Sequence, residues 1–265
     1  MTSSERRVAL GDGAETTLQI WGDRGPLVVA VHGMTSSRKS WQRLAAHWDG
    51  RARVAAYDQR GHGDSASVTG PMALERGVAD LAAVVESLDE PAAGLIGHSW
   101  GGAVAILGGT RLQIARIAAI DPMLHQVDRG WYDEYVEELR EHFALEGDER
   151  DAKTRQGVEH WNGLDIEGKV HAVHAMTTEP IEGLLRENPP LVWDLRPVVA
   201  DYPKPLLLLL AAPGEGINDS KVVDSVRRDR ARGVELVEIA DAGHNLHRTA
   251  FPAVAASLEA FFGLG

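Results

Sequence analysis

Five short apolar runs without polar alternation constrain the fold of this chain more than any other feature. A strand that is apolar at every position is buried on both faces, as in a parallel sheet covered by helices. The stretches between the runs are longer and amphipathic, which indicates a mostly parallel, doubly wound α/β sheet. The predicted strands are Leu27–Val31, Val54–Ala56, Gly94–Ile96, Ile117–Ile120 and Leu206–Leu210, with Val234–Ile239 as a less apolar strand nearer an edge.

Helical periodicity in the connecting segments supports this arrangement. In Ala73–Leu88, apolar residues recur at the spacing of one helix face, and further helices are predicted over Trp41–Trp48, Ala103–Leu107 and Phe251–Phe262. These strands and helices assign residues 1–121 and 201–265 to one core domain.

The pattern changes between residues 122 and 200, which contain no convincing strand. An amphipathic stripe runs along Trp131–Leu145, a second helix is predicted over Ile166–Met176, and Pro180 opens a third. We interpret residues 122–200 as a helical lid inserted between two strands of the sheet.

Composition excludes several classes of function. The 265 residues carry a net charge of −12, which argues against a nucleic-acid partner and against electrostatic membrane binding. The absence of cysteine excludes disulfides, zinc–thiolate sites and a cysteine nucleophile. No signal-peptide core lies in the first residues, and no apolar run approaches the roughly 20 residues of a membrane span. We therefore expect a cytoplasmic protein, and the sequence gives no indication of its oligomeric state.

The strongest chemical motif is Gly-His-Ser-Trp-Gly-Gly at residues 97–102, which lies between a predicted strand and a predicted helix. In that context the pattern G-x-S-x-G is typical of a nucleophile elbow. Gly97 and Gly101 let the strand and the helix approach closely, and the helix N-terminus directs free N–H groups at developing negative charge. We predict Ser99 as a nucleophile.

Two other turns offer groups that a serine nucleophile needs. His-Gly-Met at residues 32–34 ends a buried strand, so the N–H groups of Met34 and Trp100 are candidate donors to an oxyanion. His244 lies on the loop after the last strand, where catalytic residues of open α/β sheets collect. We predict His244 as the general base, in preference to the nearby His247.

Together these motifs resemble the α/β-hydrolase superfamily. The strand before His-Gly, the octapeptide Asp-x-Arg-Gly-His-Gly-Asp-Ser at residues 58–65, Gly-His-Ser-Trp-Gly-Gly and Ala-Gly-His-Asn occur in that family's order and spacing, and only the lid lies outside the match. The resemblance implies the α/β-hydrolase fold, with Ser99 as nucleophile, His244 as base and the N–H groups of Met34 and Trp100 as oxyanion hole. We assign residues 57–65 a structural role.

The acid that orients the histidine has three candidates. The family most often places it in the loop after the strand that follows the lid, where this chain departs from the common Gly-x-x-Asp pattern and offers Glu215 and Asp219. Some branches place it at the end of the strand before the lid, where Asp121 lies. We predict Asp121, with Glu215 and Asp219 as alternatives; its carboxylate would stabilise the imidazolium formed when Ser99 loses its proton.

The function expected from this resemblance is hydrolysis of an ester or lactone of a small molecule through an acyl-enzyme, without a cofactor or a metal. The pair His171 and His174 fits an ordinary surface helix better than a metal site. Trp131, Tyr135 and Trp161 are expected to line the substrate pocket. Alternatives are the same machinery acting on a carbon–carbon bond, on an amide as in proline iminopeptidases, or in perhydrolysis, and a receptor that binds a small molecule without catalysis.

The negative charge is concentrated in the lid. Residues 122–200 hold 17 acidic and 8 basic side chains, so they carry −9 of the total charge of −12. Most of this charge is expected on the solvated faces of amphipathic helices. It also weakly disfavours an anionic substrate under the lid, and therefore hints at a neutral, apolar one.

Overall fold

The computed structural model describes residues 1–125, 129–188 and 193–265, except for the side chains of residues 129–132. A sheet forms the centre of the molecule. Its strands are β1 (Ser3–Ala9), β2 (Glu15–Trp21), β3 (Leu27–Val31), β4 (Arg53–Tyr57), β5 (Gly94–His98), β6 (Ile117–Ile120), β7 (Leu206–Leu210) and β8 (Val234–Glu238). They lie in the order β1-β2-β4-β3-β5-β6-β7-β8. β3 to β8 run parallel, whereas β2 pairs antiparallel with both β1 and β4.

The six predicted strands are present, and β3, β5, β6 and β7 are buried at every position. β8 lies at an edge and is mostly only half-buried, as its two glutamates indicated. The β1–β2 hairpin was not predicted. Six of the seven residues of β1 are exposed, so the strand lacks the apolar run that identified the others.

Helices cover both faces of the sheet, as the doubly wound prediction required. The helices are α1 (Gln42–His47), α2 (Leu74–Glu86), α3 (Trp100–Arg111), α4 (Arg129–Ala144), α5 (Gly147–Gly157), α6 (Gly163–His174), α7 (Glu179–Glu187), α8 (Arg196–Ala200), α9 (Ser220–Asp229), α10 (Leu246–Thr249) and α11 (Phe251–Phe262). Side chains alternate along β3, so that Val29 and Val31 belong to the core cluster that includes α2, α3 and α9, whereas Val28 and Ala30 belong to the cluster that includes α1 and α11.

Helices α4 to α8 lie between β6 and β7, where the lid was expected. The sequence did not predict α5, because its buried positions are Arg150 and Thr154 rather than apolar residues. The division into a core of residues 1–121 and 201–265 and a lid of residues 122–200 stays a prediction. Across the described ranges, no helix combines the length and the apolar character needed to cross a bilayer.

Candidate active site

Ser99 lies on the turn between β5 and α3, in a strained backbone conformation. Its φ of 55° and ψ of −121° fall where side chains with a Cβ are rarely found. A Cβ on Gly97 would lie 2.1 Å from the carbonyl oxygen of Gly101, and a Cβ on Gly101 would lie 2.4 Å from that of His32. The two glycines therefore allow α3 to approach the ends of β3 and β5, and this close packing holds Ser99 at the turn.

Ser99, His244 and Asp121 form one hydrogen-bonded chain. The Oγ of Ser99 lies 3.0 Å from Nε2 of His244, and Nδ1 of His244 lies 2.6 Å from Oδ2 of Asp121. A carboxylate only accepts hydrogen bonds, so Nδ1 donates and Nε2 is left to accept from the serine hydroxyl. Asp121 is only 2% exposed, on the β6 end that the sequence indicated. The structure thus brings together the three residues predicted as a triad.

The loop after β7 holds Asp121 in place through its backbone. The N–H of Ile217 donates to Oδ2 of Asp121 at 2.9 Å, and the N–H of Ala211 approaches Oδ1 at 3.5 Å. A Cβ on Gly216 would lie 2.8 Å from the same carboxylate, so this position favours glycine. The loop therefore contributes donors to the acid.

The two alternative acids have other surroundings. Asp219 is the N-cap of α9, where its Oδ1 accepts from the N–H of Val222 at 2.9 Å. Glu215 lines the cavity beside the serine. Among the described residues, neither carboxylate forms a hydrogen bond or an ion pair with His244.

The alternative base, His247, lies in the core behind His244. Its ring packs 4.1 Å from the ring of His98 and 5.8 Å from that of Trp41, and its nitrogens have no hydrogen-bond partner among the described residues. Nε2 of His98 donates to the carbonyl oxygen of His244 at 3.0 Å and so fixes the base's loop. Burial lowers the pKa of His98 and of His247 well below the usual value, so both rings stay neutral at pH 7.

The two predicted oxyanion donors lie on turns beside the serine. Met34 follows β3 and lines the same cavity as Ser99. Trp100 is the first residue of α3, and first-turn N–H groups have no acceptor within a helix. The indole of Trp100 is buried edge-on against Trp193 at 5.2 Å, so it is the backbone of Trp100 that is available to the site. Their role as an oxyanion hole stays a prediction.

A cavity of about 990 Å³ opens at the serine and at His244. Tyr135 and Trp161 line it, as expected, whereas the side chain of Trp131 lies outside the described residues. Lys169 and Arg248 also line the cavity, and the sequence analysis assigned them no role. They come from α6 and α10, far apart in the chain, and no local motif marks either one.

Residues 57–65 hold the turn that follows β3. Asp58 is fully buried, and it accepts from the backbone N–H of Arg38 at 2.7 Å and from the Arg38 guanidinium. The same guanidinium pairs with Glu5 and Asp64 at 2.7 Å each. These contacts join β1, β4 and the turn after β3, as a structural role predicts.

The histidines of α6 have separate partners. His171 lies beside Asp58 and Asp64, and the potential ligand atoms of these three residues fall within 4.8 Å of one another. The Arg38 guanidinium already pairs with both carboxylates. His174 instead pairs with Asp151 at 3.0 Å. The described contacts of α6 thus fit an ion-pair network better than a metal site.

Comparison with known proteins identifies the family. The model of the alpha/beta hydrolase family matches residues 28–257, so the chain belongs to that family. Lipase LipV of Mycobacterium tuberculosis is 36% identical over 108 residues, which cover 40% of this chain and only 41% of the lipase. The magnesium-chelatase 30 kDa subunit of Rhodobacter capsulatus is 26% identical over 243 residues, covering 85% of this chain and 83% of that protein. A crystal structure of E-2-(acetamidomethylene)succinate hydrolase has a TM-score of 0.81 at 20% identity, covering 99% of this chain and 100% of that chain.

Proposed function

We propose that this protein is a serine hydrolase that cleaves a carboxylic ester or lactone through an acyl-enzyme. The observation that carries the proposal is the chain of contacts from Ser99 through His244 to the buried Asp121, at 3.0 Å and 2.6 Å, on the wall of a cavity large enough for a small-molecule ester. The similarity to a lipase over part of the chain supports the same reaction class.

The geometry supports a two-step reaction. Oγ of Ser99 attacks the carbonyl carbon while Nε2 of His244 takes the hydroxyl proton, and the carboxylate of Asp121 stabilises the imidazolium. The N–H groups of Met34 and Trp100 stabilise the oxyanion. The tetrahedral intermediate collapses, and the leaving alkoxide receives the proton from His244. A water molecule, deprotonated by His244, then attacks the acyl carbon, which releases the acid and restores Ser99.

The test uses Ser99→Ala with p-nitrophenyl butyrate and a fluorophosphonate probe. We expect the wild-type protein to hydrolyse the ester and to be labelled by the probe, and Ser99→Ala to lose both properties. Ser257→Ala is the matched control, because among the described residues that hydroxyl donates only to the Ala253 carbonyl on α11. Hydrolysis that persists in Ser99→Ala would refute the mechanism, and a protein that binds ligands tightly but is never labelled would be a receptor.

Assays with amides, with diketones and for peracid formation test the alternative reactions, which are amide cleavage, carbon–carbon bond cleavage and perhydrolysis. Each of these reactions would use the same nucleophile and base on another acyl donor or acceptor. The proposal requires the highest kcat/KM on an ester or lactone. A higher value on an amide or a diketone would assign the protein to that reaction instead.

A further inference from the structure

Two basic side chains line the cavity beside the predicted oxyanion turn. Nζ of Lys169 donates to the carbonyl oxygen of Thr35 at 2.8 Å and to its Oγ1 at 2.9 Å. Nη2 of Arg248 donates to Oγ of Ser36 at 3.0 Å. Thr35 and Ser36 directly follow Met34, so both cations bind the turn after β3 that carries one predicted oxyanion donor.

Neither cation forms a direct ion pair with a carboxylate among the described residues. Arg248 is only 5% exposed, its Nε has no hydrogen-bond partner there, and its guanidinium lies 4.4 Å from the centre of the Trp161 ring. The buried carboxylate of Asp165 is bound by Arg43 at 2.8 Å, and it also attracts Arg248, which raises the pKa of that guanidinium against the larger lowering by burial. No described acidic group offsets the charge of Lys169 in this way. A buried cation that lacks a full counter-ion costs free energy, and such a cation at a cavity wall is a candidate site for an anionic ligand.

The positive charges of Lys169 and Arg248 also repel each other. Burial, and secondarily the positive charge of Arg248, lower the pKa of Lys169 to about 7, and burial lowers the pKa of Arg248 to about 10. The charge of Lys169 also acts on His62 and His142, and burial lowers the pKa of both, to about 3 for His62. The hydroxyl of Tyr135 lies 3.3 Å from Oγ1 of Thr35, the oxygen that also accepts from Lys169, and burial raises the pKa of that tyrosine. An anion bound between Lys169 and Arg248 would relieve their repulsion.

We propose that the substrate carries a carboxylate in addition to its scissile ester or lactone bond, and that Lys169 and Arg248 bind this carboxylate. The proposal rests on the hydrolase function proposed above and names its substrate class. It replaces the expectation of a neutral, apolar substrate, which relied on the charge summed over the whole lid. Much of that charge belongs to exposed glutamates of α4, such as Glu137 and Glu141, which face solvent.

The acidic residues of the cavity wall lie on another element. Glu215 and Asp219 belong to the loop after β7, and neither forms an ion pair with Lys169 or Arg248 among the described residues. They therefore leave the two cations available to a ligand.

Matched esters test the proposal in two arms. The acyl arm compares the p-nitrophenyl monoester of glutaric acid with p-nitrophenyl pentanoate, in which a methyl group replaces the carboxylate. The alcohol arm compares 3-carboxyphenyl acetate with 3-methylphenyl acetate. In each arm the readout is the ratio of kcat/KM for the anionic ester to that for the neutral ester. The arm in which this ratio is high shows which side of the scissile bond carries the carboxylate.

Substitutions then assign the ratio to the two cations. We expect Arg248→Met and Lys169→Met each to lower the ratio in that arm by roughly tenfold or more, because each removes a charge-assisted hydrogen bond. Arg248→Lys and Lys169→Arg retain the charge and should recover part of the ratio, provided that thermal unfolding shows them folded. Lys153→Met is the control: it removes a lid cation that is exposed on α5, and the ratio should stay at the wild-type value.

Three results would overturn the proposal: no preference for the anionic ester in either arm, a ratio unaffected by the two substitutions, or an equal loss on both esters. The last result would mean that the cations only hold the turn at Thr35 and Ser36. If the wild-type protein cleaves none of the four esters, the hydrolase function fails instead. Calorimetry of Ser99→Ala with monomethyl glutarate and methyl pentanoate then tests the carboxylate site alone; the proposal requires tighter binding of the glutarate, and equal or absent binding refutes it.

Discussion

Replacing Asp121 by asparagine removes a negative charge and leaves the shape of the site nearly unchanged. In the wild type the carboxylate accepts from Nδ1 of His244 at 2.6 Å and from the N–H of Ile217 at 2.9 Å, both at Oδ2. The oxygen of the substituted amide can keep both bonds if its NH₂ group turns towards Ala211, whose N–H contact is the longest at 3.5 Å. Nδ1 of His244 then remains the protonated nitrogen, and the main loss is the electrostatic stabilisation of the imidazolium.

The size of that loss follows from the distance between the two charges. We take the imidazolium charge to lie roughly 4 Å from the carboxylate charge, which at an effective dielectric constant of about 20 corresponds to about 4 kcal/mol. This is about a thousandfold in kcat/KM. If the introduced amide instead turns its NH₂ group towards Nδ1 of His244, the ring takes the opposite tautomer, and the loss in kcat/KM rises towards about 10⁴-fold.

The measurement is hydrolysis of p-nitrophenyl butyrate by Asp121→Asn, together with its rate of labelling by a fluorophosphonate and its thermal unfolding. Asp219→Asn and Glu215→Gln are the matched controls, and asparagine caps a helix as well as aspartate does. A folded Asp121→Asn protein that keeps more than about a tenth of wild-type activity would refute the electrostatic role calculated above. An equal loss in either control would assign the acid elsewhere.

Three further predictions concern the elbow, the buried ion pair and the cavity cations. Gly97→Ala places a Cβ 2.1 Å from a backbone oxygen, so we expect it to lower the free energy of unfolding by about 3 kcal/mol or more and to abolish most activity. Gly163→Ala has open space around its Cβ, so its free energy of unfolding should stay within about 0.5 kcal/mol of the wild-type value. Arg38→Met leaves a fully buried carboxylate unpaired and should cost about 3–5 kcal/mol in denaturant unfolding; a cost below about 1 kcal/mol would contradict the structural role of that pair. Lys169 is charged below its pKa of about 7 and neutral above it, so Ser99→Ala should bind monomethyl glutarate more weakly at pH 8 than at pH 6. The same measurement with Lys169→Arg added should show a smaller pH dependence, and an equal dependence would refute the assignment.

The sequence predicted the parts of the structure that depend on local patterns. β3, β5, β6 and β7 are apolar at nearly every position because both of their faces are covered, and this burial is visible in the sequence. Ser99 and His244 were found because a strand-to-helix turn and a strand-end loop each impose a local composition. The position of Asp121 was harder to predict, because three carboxylates occupy plausible strand ends and only the packed structure shows which one faces the histidine.

Features that depend on distant contacts were missed. The exposed strand β1 and the polar helix α5 carry few apolar positions, so their periodicity is weak. Lys169 and Arg248 meet at the cavity only because α6 packs beside the turn after β3. The net charge of the lid says little about the cavity, because a sum over a segment does not distinguish its outer surface from its inner one.

The backbone contacts from the loop after β7 make that loop suitable for directed evolution. Ala211 and Ile217 reach Asp121 through backbone N–H groups, so the contacts themselves do not depend on the chemistry of these two side chains. Ala211 is buried and favours a small side chain, and Gly216 favours glycine. Glu215 lines the cavity and forms no hydrogen bond or ion pair with His244 among the described residues, so we expect a library that varies it to change substrate preference without breaking the bond between His244 and Asp121. This loop thus keeps the backbone contacts to Asp121 separate from a side chain that faces the cavity.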